Sequence, residues 1–364
     1  MSFINKKIFS FSKSAFGLDI SDLSLKAVQL GDDKDEKKIL SFGRVQLRPG
    51  TIVDGEIIDK DQVVAAIKKL LKTSGPRRIK NKKVVCSVPE TKAFLRIITL
   101  PKMSDQEVKE AIKWEIEANI PLPLDQVYFD WQILKKQFTK DENRMSIIVV
   151  AISRNTANRI LEALEEAQLE VMGLEVESVA QARSLMKEGG EEKEGNNTKL
   201  VIDFGDRRTS FFVMIDNFPC FTSSIPISCQ TLTDAIAKTM NLTNDEAEKT
   251  KIQYGIGSFG SKDVLFRAME PVLENLVREV EKSIDFYLTD LKYSSDIDKI
   301  IVCGGGANTK GIIPFLSKKL GRTVEMGNPW ANFSTRNNEL PGIEKDKSVE
   351  YSTAIGLAIK GLDV

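Results

Sequence analysis

The sequence predicts a two-lobed α/β fold built from two similar halves, and three distant segments carry that prediction. Each begins as a short apolar run, reaches Asp or Gly, and then turns polar, as a buried strand does when it delivers a tight loop to a ligand. The segments are residues 16–26, 200–209 and 300–307. Two acidic loops and one glycine loop, in that order, indicate one nucleotide held between two half-molecules.

The first half reads as strands followed by a helix. Residues 16–30 predict strand, turn and strand, and residues 39–47 predict another strand. Residues 59–72 predict a helix, because apolar side chains recur at helical spacing and Asp61 offers a cap. A buried strand follows at 84–88.

Residues 90–150 read as an inserted unit, after which the chain returns to the first half. Its helix begins at a capping box, with Ser104 as the cap and Glu107 three residues on. The inserted unit is also predicted to contain strand 94–100, strand 127–134 and most of strand 145–152. Helix 155–167 and strand 171–176 follow it in the first half.

The second half restarts at Leu200 and mirrors the opening strands, which indicates duplication of one architecture. Helices dominate from 231 to 291, and the small apolar helix at 352–362 is expected in the core. The predicted divisions are an N-terminal tail at 1–15, the first lobe at 16–89, an inserted subdomain at 90–150, the first lobe again at 151–186, a charged linker loop at 187–198, a second lobe with nucleotide-binding helices at 199–342, and a C-terminal helix returning to the first lobe at 343–364.

Composition excludes several functions. Lys+Arg and Asp+Glu both number 52 in 364 residues, so no basic footprint favours a nucleic-acid partner. The absence of histidine removes His-based acid–base catalysis and most zinc sites. Any hydrolysis must therefore use carboxylates, a metal held by carboxylates and phosphates, or backbone dipoles.

The cysteines and the N-terminus favour a cytoplasmic protein. Cys86, Cys220, Cys229 and Cys303 show no CxxC spacing and read as reduced thiols. No apolar run approaches the ~20 residues that span a bilayer. Residues 1–15 are too interrupted for a signal peptide, and either a membrane-surface or partner-docking segment or a frayed tail fits them.

The loops after the three strands suit a phosphate ligand. Asp19 or Asp203 alone would read as a turn residue, but the pair, joined by a glycine loop, favours function. Loop N–H groups can cradle phosphate, and a carboxylate on each side can hold Mg²⁺ directly or through water. Lys26 would offset phosphate charge, and Gly304–Gly306 would let backbone approach the ligand.

The remaining motifs give weaker evidence of a functional site. The GxGxxG at 255–260 follows a predicted helix rather than a strand and reads as a helix end. Neither GxxxxGK[ST] nor GxSxG is present. Glu177, where a strand passes into a helix, could cap the helix or orient a water, and the local sequence favours capping.

The three loops resemble the phosphate-1, phosphate-2 and adenosine motifs of the actin-like (ribonuclease H-like) ATPase superfamily, which includes MreB and FtsA. Within it, the chain resembles the PilM family of type IV pilus assembly. The segments that carry this resemblance are 84–89 (VVCSVP), 95–104 (LRIITLPKMS), 110–115 (EAIKWE) and 120–121 (IP). In that family they form an inserted subdomain comparable to the 1C subdomain of FtsA.

The resemblance implies a cleft that binds ATP or ADP with Mg²⁺, where Asp19 and Asp203 surround the metal. Glu248 and Lys251 match a helix that contacts adenosine, and Glu177 aligns with a carboxylate that positions water in MreB-like filaments. The implied nucleotide-binding residues are Asp19, Ser21, Ser24, Lys26, Asp203, Gly205, Arg207, Thr209, Glu248, Lys251, Gly304, Gly305 and Gly306.

The chain departs from the family pattern in its first loop. Ser21 stands where glycine is usual, Asp22 where a small hydroxyl residue is usual, and Ser178 where proline is common. An extra carboxylate at Asp22 would repel a triphosphate unless Mg²⁺ screens it, and Arg207 and Arg208 would compensate. These changes bear on hydrolysis more than on the fold.

The implied function is a cytoplasmic nucleotide-binding protein, at most a weak ATPase, held at the inner membrane through its partners. The implied partners are the N-terminal peptide of PilN, the PilN–PilO complex, motor or platform components of the pilus and a second copy of the chain, with no nucleic acid. One alternative is an FtsA-like filament former, although such proteins usually end in an amphipathic membrane helix and this sequence ends after a core-like one. The other is a small-molecule kinase, for which no catalytic Asp motif is found.

Overall fold

The part of the chain that the structure describes contains sixteen strands, ten α-helices and four short 3-10 helices. This computed structural model describes residues 14–33, 36–120, 122–134, 141–187, 198–215, 218–256, 264–289, 296–333 and 343–364. The strands are β1 (Phe16–Ile20), β2 (Ser24–Asp33), β3 (Glu36–Gln46), β4 (Ile52–Val53), β5 (Glu56–Ile57), β6 (Gly75–Pro76), β7 (Lys83–Val88), β8 (Ala93–Pro101), β9 (Val127–Ile133), β10 (Arg144–Ser153), β11 (Glu170–Val176), β12 (Thr198–Phe204), β13 (Thr209–Ile215), β14 (Phe218–Ile225), β15 (Lys299–Cys303) and β16 (Val324–Met326). The helices are α1 (Lys60–Thr73), α2 (Asp105–Asn119), α3 (Arg154–Glu166), α4 (Glu177–Leu185), α5 (Cys229–Met240), α6 (Asn244–Tyr254), α7 (Val264–Thr289), α8 (Ile312–Leu320), α9 (Lys345–Ser348) and α10 (Ser352–Lys360).

The first half is a six-stranded sheet in the order β11-β7-β1-β2-β3-β6. Strands β1 and β2 form an antiparallel hairpin, and β7 and β11 add to β1 in parallel. All five residues of β1 are buried, since Phe16 and Leu18 pack in the core with α1 and α3 while Gly17 meets α10 on the other face. Burial on both faces explains why β1 reads as a nearly continuous apolar run.

The second half repeats this plan in a five-stranded sheet of order β14-β13-β12-β15-β16. Strands β12 and β13 form the antiparallel hairpin, and β15 pairs with β12 in parallel. Leu200, Ile202 and Phe204 share a core with α5, α7 and α8. The duplication expected from residues 16–30 and from Leu200 is confirmed at the level of strand pairing.

A third sheet, β8-β10-β9, carries α2 and has its own core. Val108, Ile112 and Ile116 recur at helical spacing on α2 and are fully buried against this sheet. The capping box of Ser104 and Glu107 is confirmed, since the Ser104 N–H donates to Glu107 Oε2 at 2.8 Å.

Helix α10 packs in the core as its apolar sequence predicts. A side chain at Gly17 would collide with the Ala354 carbonyl, and one at Gly356 would collide with the Ala180 carbonyl. Glycine at both positions therefore lets α10 lie directly against β1 and α4.

Some sequence predictions change or lie outside the described residues. The α1 cap is Asp59 rather than Asp61, because Asp59 Oδ1 accepts from the Gln62 N–H at 3.0 Å and Asp61 already lies inside the helix. Gly255 ends α6 as expected, whereas residues 257–260 of the GxGxxG lie outside the described part, as do 1–13 of the tail and 188–197 of the linker. Among the described helices, none combines the length and apolar character needed to cross a membrane.

Candidate functional site

The carboxyl ends of β1, β7, β11, β12 and β15 open onto one cavity of about 780 Å³, here called the cleft. Ligands of α/β sheets bind outside the carboxyl ends of strands, where consecutive connections diverge. Both halves contribute to the lining, so the cleft lies where the two sheets meet. Its position follows from the duplicated strand order.

Asp19 lies at the end of β1 and is only 4% exposed. Strand pairing sets it opposite Lys26, whose ammonium lies 3.3 Å from Asp19 Oδ2, and the Ser87 hydroxyl donates to Oδ1 at 3.3 Å. Burial by itself would lower the pKa of Lys26, but Asp19 and Asp206 outweigh it and the pKa is raised. Lys26 therefore stays cationic at the inner wall of the cleft.

Asp203 occupies the equivalent position at the end of β12. Its Oδ2 accepts from the Gln181 amide at 2.6 Å. Burial raises the pKa of Asp203 and Asp19 adds to the rise, while the Gln181 amide and Lys26 oppose it. A cation in the cleft would therefore stabilise the ionised form of this carboxylate.

Asp22 lines the cleft, and a neighbouring turn holds its carboxylate. Its carboxylate accepts from the Asp54 N–H at 3.1 Å and from the Gly55 N–H at 2.9 Å. Asp54 and Gly55 have φ of +50° and +78° and join β4 to β5, in the conformation that Asp-Gly favours in two-residue hairpins. Two backbone donors therefore hold the carboxylate that the first loop carries.

Ser21 lines the cleft, but Ser24 does not. The Ser21 N–H and hydroxyl both donate to the Ser24 carbonyl, at 3.0 and 2.9 Å, and close the first loop on itself. Ser24 is fully buried beneath that loop. It supports the loop, and its predicted contact with a nucleotide has no counterpart in this arrangement.

The second loop contributes Gly205, Asp206, Arg207 and Arg208 to the cleft. The Gly205 N–H donates to the Arg208 carbonyl at 3.0 Å, which closes the turn, and the Arg207 side chain is exposed on the cavity. Thr209 was predicted to bind the nucleotide. It is instead fully buried and donates its hydroxyl to the Ile227 carbonyl at 2.6 Å, so it anchors the loop from behind.

Ion pairs join the two halves across the cleft. Arg44 on β3 lies 3.4 Å from Asp206 in the second loop and 2.7 Å from Glu350. Arg208 lies 3.4 Å from Asp54 on the β4–β5 turn. All these side chains are partly exposed, so the pairs are weak and open readily.

The glycine loop brings backbone to the cleft at Gly304 and Gly305. Gly304 has φ of +77°, and a side chain there would collide with the carboxylate of Asp203. Gly306 is buried instead, where a side chain would collide with the ring of Phe204. Only the first two of the three predicted glycines therefore face the cavity.

Helix α6 adds Glu248 and Lys251 to the lining. Their side chains lie 2.7 Å apart. The Lys251 ammonium also donates to the Cys229 carbonyl at 3.0 Å and the Thr233 hydroxyl at 2.8 Å, and the residue is 5% exposed. Lys251 thus joins α6 to α5, and Glu248 is the more accessible of the two.

Glu177 and Glu90 each cap the segment that carries the other. The Glu90 N–H donates to Glu177 Oε2 at 3.1 Å, and the Ser178 N–H at the start of α4 donates to Glu90 Oε2 at 3.1 Å. Glu177 therefore caps the turn at Glu90 rather than its own helix. Burial raises the pKa of both carboxyls, and Asp19 and Asp203 add to the rise at Glu177.

Among the lining residues that the sequence analysis did not identify are Arg44, Glu90 and Gln181. Glu90 follows a buried strand, so the rule that found Asp19 could have found it. Gln181 lies one helical turn after Glu177 and could have been placed on the same face. Arg44 lies within β3, and no local signal distinguishes it.

The donor set of the cleft suits a divalent cation that shares its ligands with phosphate. Asp19, Asp203 and Glu177 line one cavity and repel one another. Among the described residues, no three His, Cys, Asp or Glu side chains lie close enough to hold a metal alone. The residues present therefore fit Mg²⁺ held partly by phosphate and water, and not a closed protein site.

Comparison with known proteins identifies a family. The family described as type IV pilus assembly protein PilM matches residues 17–362. A solved structure described as a PilM–PilN type IV pilus biogenesis complex is similar at a TM-score of 0.80 and 27% identity, over 96% of this chain and 98% of that one.

Two further relatives have lower identity. Cell division protein FtsA of Buchnera aphidicola subsp. Acyrthosiphon pisum (strain APS) is 24% identical over 375 residues, 89% of this chain and 84% of that protein. The structure of MreB 5 of Spiroplasma citri bound to AMPPNP is similar at a TM-score of 0.52 and 14% identity, over 97% of each chain. The predicted actin-like fold is confirmed.

Proposed function

Because this chain belongs to the family of type IV pilus assembly protein PilM, we propose that it is an actin-like nucleotide-binding protein that joins pilus assembly through PilN. It would bind ATP or ADP with Mg²⁺ in the cleft and hold the N-terminal cytoplasmic peptide of PilN. It would thereby scaffold the PilN–PilO complex at the cytoplasmic face of the inner membrane. The peptide groove would involve the inserted unit at 90–150, taken as a 1C-type subdomain.

The observation that carries nucleotide binding is the convergence of three distant loops on one cavity. Asp19, Asp203 and Gly304 come from strands far apart in sequence, yet all line the cleft. The cavity volume of about 780 Å³ lies within the range of small-molecule and cofactor sites. The likeness to an MreB structure bound to AMPPNP supports a nucleotide as the ligand.

Named residues would divide the work of binding. Asp19 and Asp203 would hold the metal directly or through water, and Mg²⁺ would neutralise phosphate charge. Lys26 and Arg207 would offset the remaining negative charge of the phosphates. Glu248 would contact the adenosine from α6.

Glu177 is the candidate for positioning a water near the terminal phosphate. It lies at the carboxyl end of β11 and lines the cleft, and its Oε2 is held by the Glu90 N–H. Burial, Asp19 and Asp203 raise the pKa of Glu177, the direction that makes a carboxylate a stronger base. Turnover would be slow, because Ser21 and Asp22 depart from the first loop that is usual in the family.

The cross-cleft ion pairs would make nucleotide binding a switch. Arg44–Asp206 and Arg208–Asp54 join the halves at the loops that would meet phosphate. Phosphate competing for these arginines would change how tightly the halves close, in a hinge motion common to such clefts. The change would alter the affinity for PilN.

The proposal that PilN is the partner rests on similarity to a solved complex, and not on the geometry of the cleft. At 27% identity and a TM-score of 0.80, the most informative likeness is to a complex of PilM with PilN. We extend the proposal to PilO through PilN, to motor or platform components of the pilus and to self-association.

The first experiment is calorimetric titration of MgATP into the wild type and Asp203→Ala, with phosphate release measured on the same samples. We expect clear binding to the wild type, a loss of affinity of about tenfold or more in the variant, and slow release. Wild-type protein that fails to bind ATP or ADP would exclude the nucleotide proposal.

The partner is tested separately by fluorescence anisotropy with a labelled peptide of the PilN N-terminus. A peptide of the same composition in scrambled order is the control. Binding should be specific to the native order and should differ between ATP-, ADP- and nucleotide-free samples. Equal binding of both peptides would contradict the PilN assignment without touching the nucleotide site.

The likeness to an FtsA keeps filament formation as a second candidate. It predicts ATP-dependent sedimentation of the chain on lipid vesicles without any PilN peptide. Sedimentation only together with membrane-bound PilN would favour the pilus assignment.

A further inference from the structure

Gln181 is a buried side chain in the cleft that no motif includes. It lies in the second turn of α4, is 3% exposed, and lines the cavity. Residues four apart share one face of a helix, so α4 presents Glu177 and Gln181 together. A buried amide needs partners for both of its N–H bonds and for its carbonyl.

Gln181 finds those partners on three different elements. Its Nε2 donates to Asp203 Oδ2 at 2.6 Å on β12 and to the Thr353 hydroxyl at 3.0 Å on α10. Its Oε1 faces the thiol of Cys303 on β15, with 3.9 Å between Sγ and the oxygen. Because the opposite amide orientation would set a carbonyl oxygen against a carboxylate, the contact with Asp203 determines which way the amide points.

The network constrains Asp203 from both sides. The Gln181 amide donates to Oδ2 of Asp203. Oδ1 lies so close to the glycine loop that a Cβ added at Gly304 would collide with it. A hydrogen bond to a charged acceptor is stronger than one between neutral groups. The carboxylate therefore has one defined orientation before any ligand enters.

We infer that Gln181 is a positioning residue for the divalent cation of the nucleotide, acting through Asp203. This inference rests on the proposed nucleotide function. Gln181 itself touches neither metal nor phosphate; it presents the carboxylate in the orientation that the cation requires. It also ties α4 to β12, so the helix that carries Glu177 and the aspartate that faces the metal move as one unit.

The test is a double-mutant cycle on MgATP affinity by calorimetry. Gln181→Met keeps the side-chain length but removes the amide donors. We expect it to weaken MgATP binding by about tenfold, and to change the affinity by less than about twofold when Asp203 is already Ala. Equal losses in both backgrounds, or no loss in the first, would overturn the inference.

Binding measured without Mg²⁺ distinguishes a loss of Asp203 positioning from a general disturbance of packing in the cleft. It also decides the outcome if Asp203→Ala binds MgATP too weakly to measure. With ATP in excess EDTA, Gln181→Met should bind as the wild type does, because its effect passes through the metal. Equal weakening with and without Mg²⁺ would mean that the substitution merely disturbs the cleft. Wild-type protein that binds no nucleotide would remove the proposed function and this inference together.

Two further variants control the experiment. Gln230→Leu removes a similar amide–carboxylate bond, 2.8 Å to Asp234, from an exposed helix surface and should leave MgATP affinity unchanged. If Gln181→Met fails to fold, Thr353→Val frees one amide N–H with little change in shape. It should weaken MgATP binding severalfold and leave magnesium-free binding intact, and wild-type affinity in Thr353→Val would count against the network.

Discussion

Gly304 shows how one residue joins the two functions of a loop. Its φ of +77° is strained for any L side chain, and a Cβ would strike the carboxylate of Asp203 and the carbonyl of Phe204. The missing side chain thus lets the turn pass directly beside the carboxylate of Asp203. The lack of a Cβ at Gly304 therefore permits the positive φ of the turn and also leaves room for the Asp203 carboxylate.

Gly304→Ala is therefore expected to destabilise the protein by roughly 2 kcal/mol and to displace Asp203. Urea unfolding and MgATP calorimetry would measure the two effects. Gly173→Ala is the matched control, because a Cβ added there would meet no atom within 4 Å beyond its chain neighbours and its φ is not positive. Wild-type affinity in Gly304→Ala would show that the loop tolerates a side chain.

Glu177 makes stability depend on pH in a definite direction. Burial, Asp19 and Asp203 raise its pKa well above the ordinary value, so the folded state binds this proton more tightly than the unfolded chain. Between the ordinary and the raised pKa the folded state carries more protons, and its stability falls as pH rises through that window. At low pH, where both states are protonated, the effect disappears.

Glu177→Gln should accordingly raise the melting temperature at neutral and alkaline pH, and the gain should vanish as the pH approaches the ordinary pKa of glutamate. The amide oxygen can still accept from the Glu90 N–H, so the cap is kept. Glu107→Gln should have the opposite effect. The Ser104 hydroxyl and N–H lower the pKa of Glu107, so loss of this carboxylate should reduce the stability of the protein at neutral pH. A destabilised Glu177→Gln at pH 8 would contradict the sign.

At the scale of the element, α4 begins without a capping side chain of its own. Val176 precedes it, and Glu90 from another segment accepts from the Ser178 N–H instead. The helix that carries Glu177 and Gln181 is thus capped by a residue of the cleft. Its first turn and the cleft are consequently one structural unit.

Glu90→Ala should leave that N–H without its partner and destabilise the protein by about 1–2 kcal/mol, with weaker MgATP binding. Glu90→Gln keeps an acceptor and should restore most of both. Ser104→Ala removes a comparable cap from α2 and should reduce stability by about 1 kcal/mol without affecting nucleotide affinity. Chemical unfolding and calorimetry distinguish these outcomes, and equal nucleotide affinity in all three would refute the role of Glu90.

At the scale of the whole molecule, the contacts between the two halves include buried ones and partly exposed ones. Gln181 joins Asp203 to Thr353 deep in the cleft, where the residues are buried or half-buried. Arg44 and Arg208 form their pairs at partly exposed positions. Because exposed ion pairs contribute little and are screened by salt, the pairs of Arg44 and Arg208 are expected to break more easily than the buried contact.

Arg44→Ala combined with Arg208→Ala should open the cleft without unfolding the protein. We expect a loss of stability below about 1 kcal/mol per pair, a larger radius of gyration by small-angle scattering, and faster nucleotide release. High salt should imitate the double variant. Lys299→Ala, which breaks a pair within one sheet, 3.0 Å to Glu325, should leave scattering and release unchanged.

Sequence alone determined many of the elements and the loops that end them, whereas β4, β5, β6, β14 and β16 were not predicted. The apolar runs, the capping box at Ser104 and the glycine loop act locally, so their patterns predict strands, a helix start and a close approach of backbone. The duplication was visible because both halves repeat the same hairpin with an Asp at the same place. The resemblance to a family then implied the cleft.

Only the tertiary structure decided which side chains complete the site. Glu90 and Glu177 are 87 residues apart and Gln181 and Thr353 are 172 apart, so no local pattern records their contacts. Ser24, Thr209 and Gly306 fit the motifs but do not line the cavity, and all three are buried. Their burial depends on the elements that pack around each loop, which the local sequence does not record. Motif spacing selects the loops, and packing between the halves selects the atoms that face the ligand.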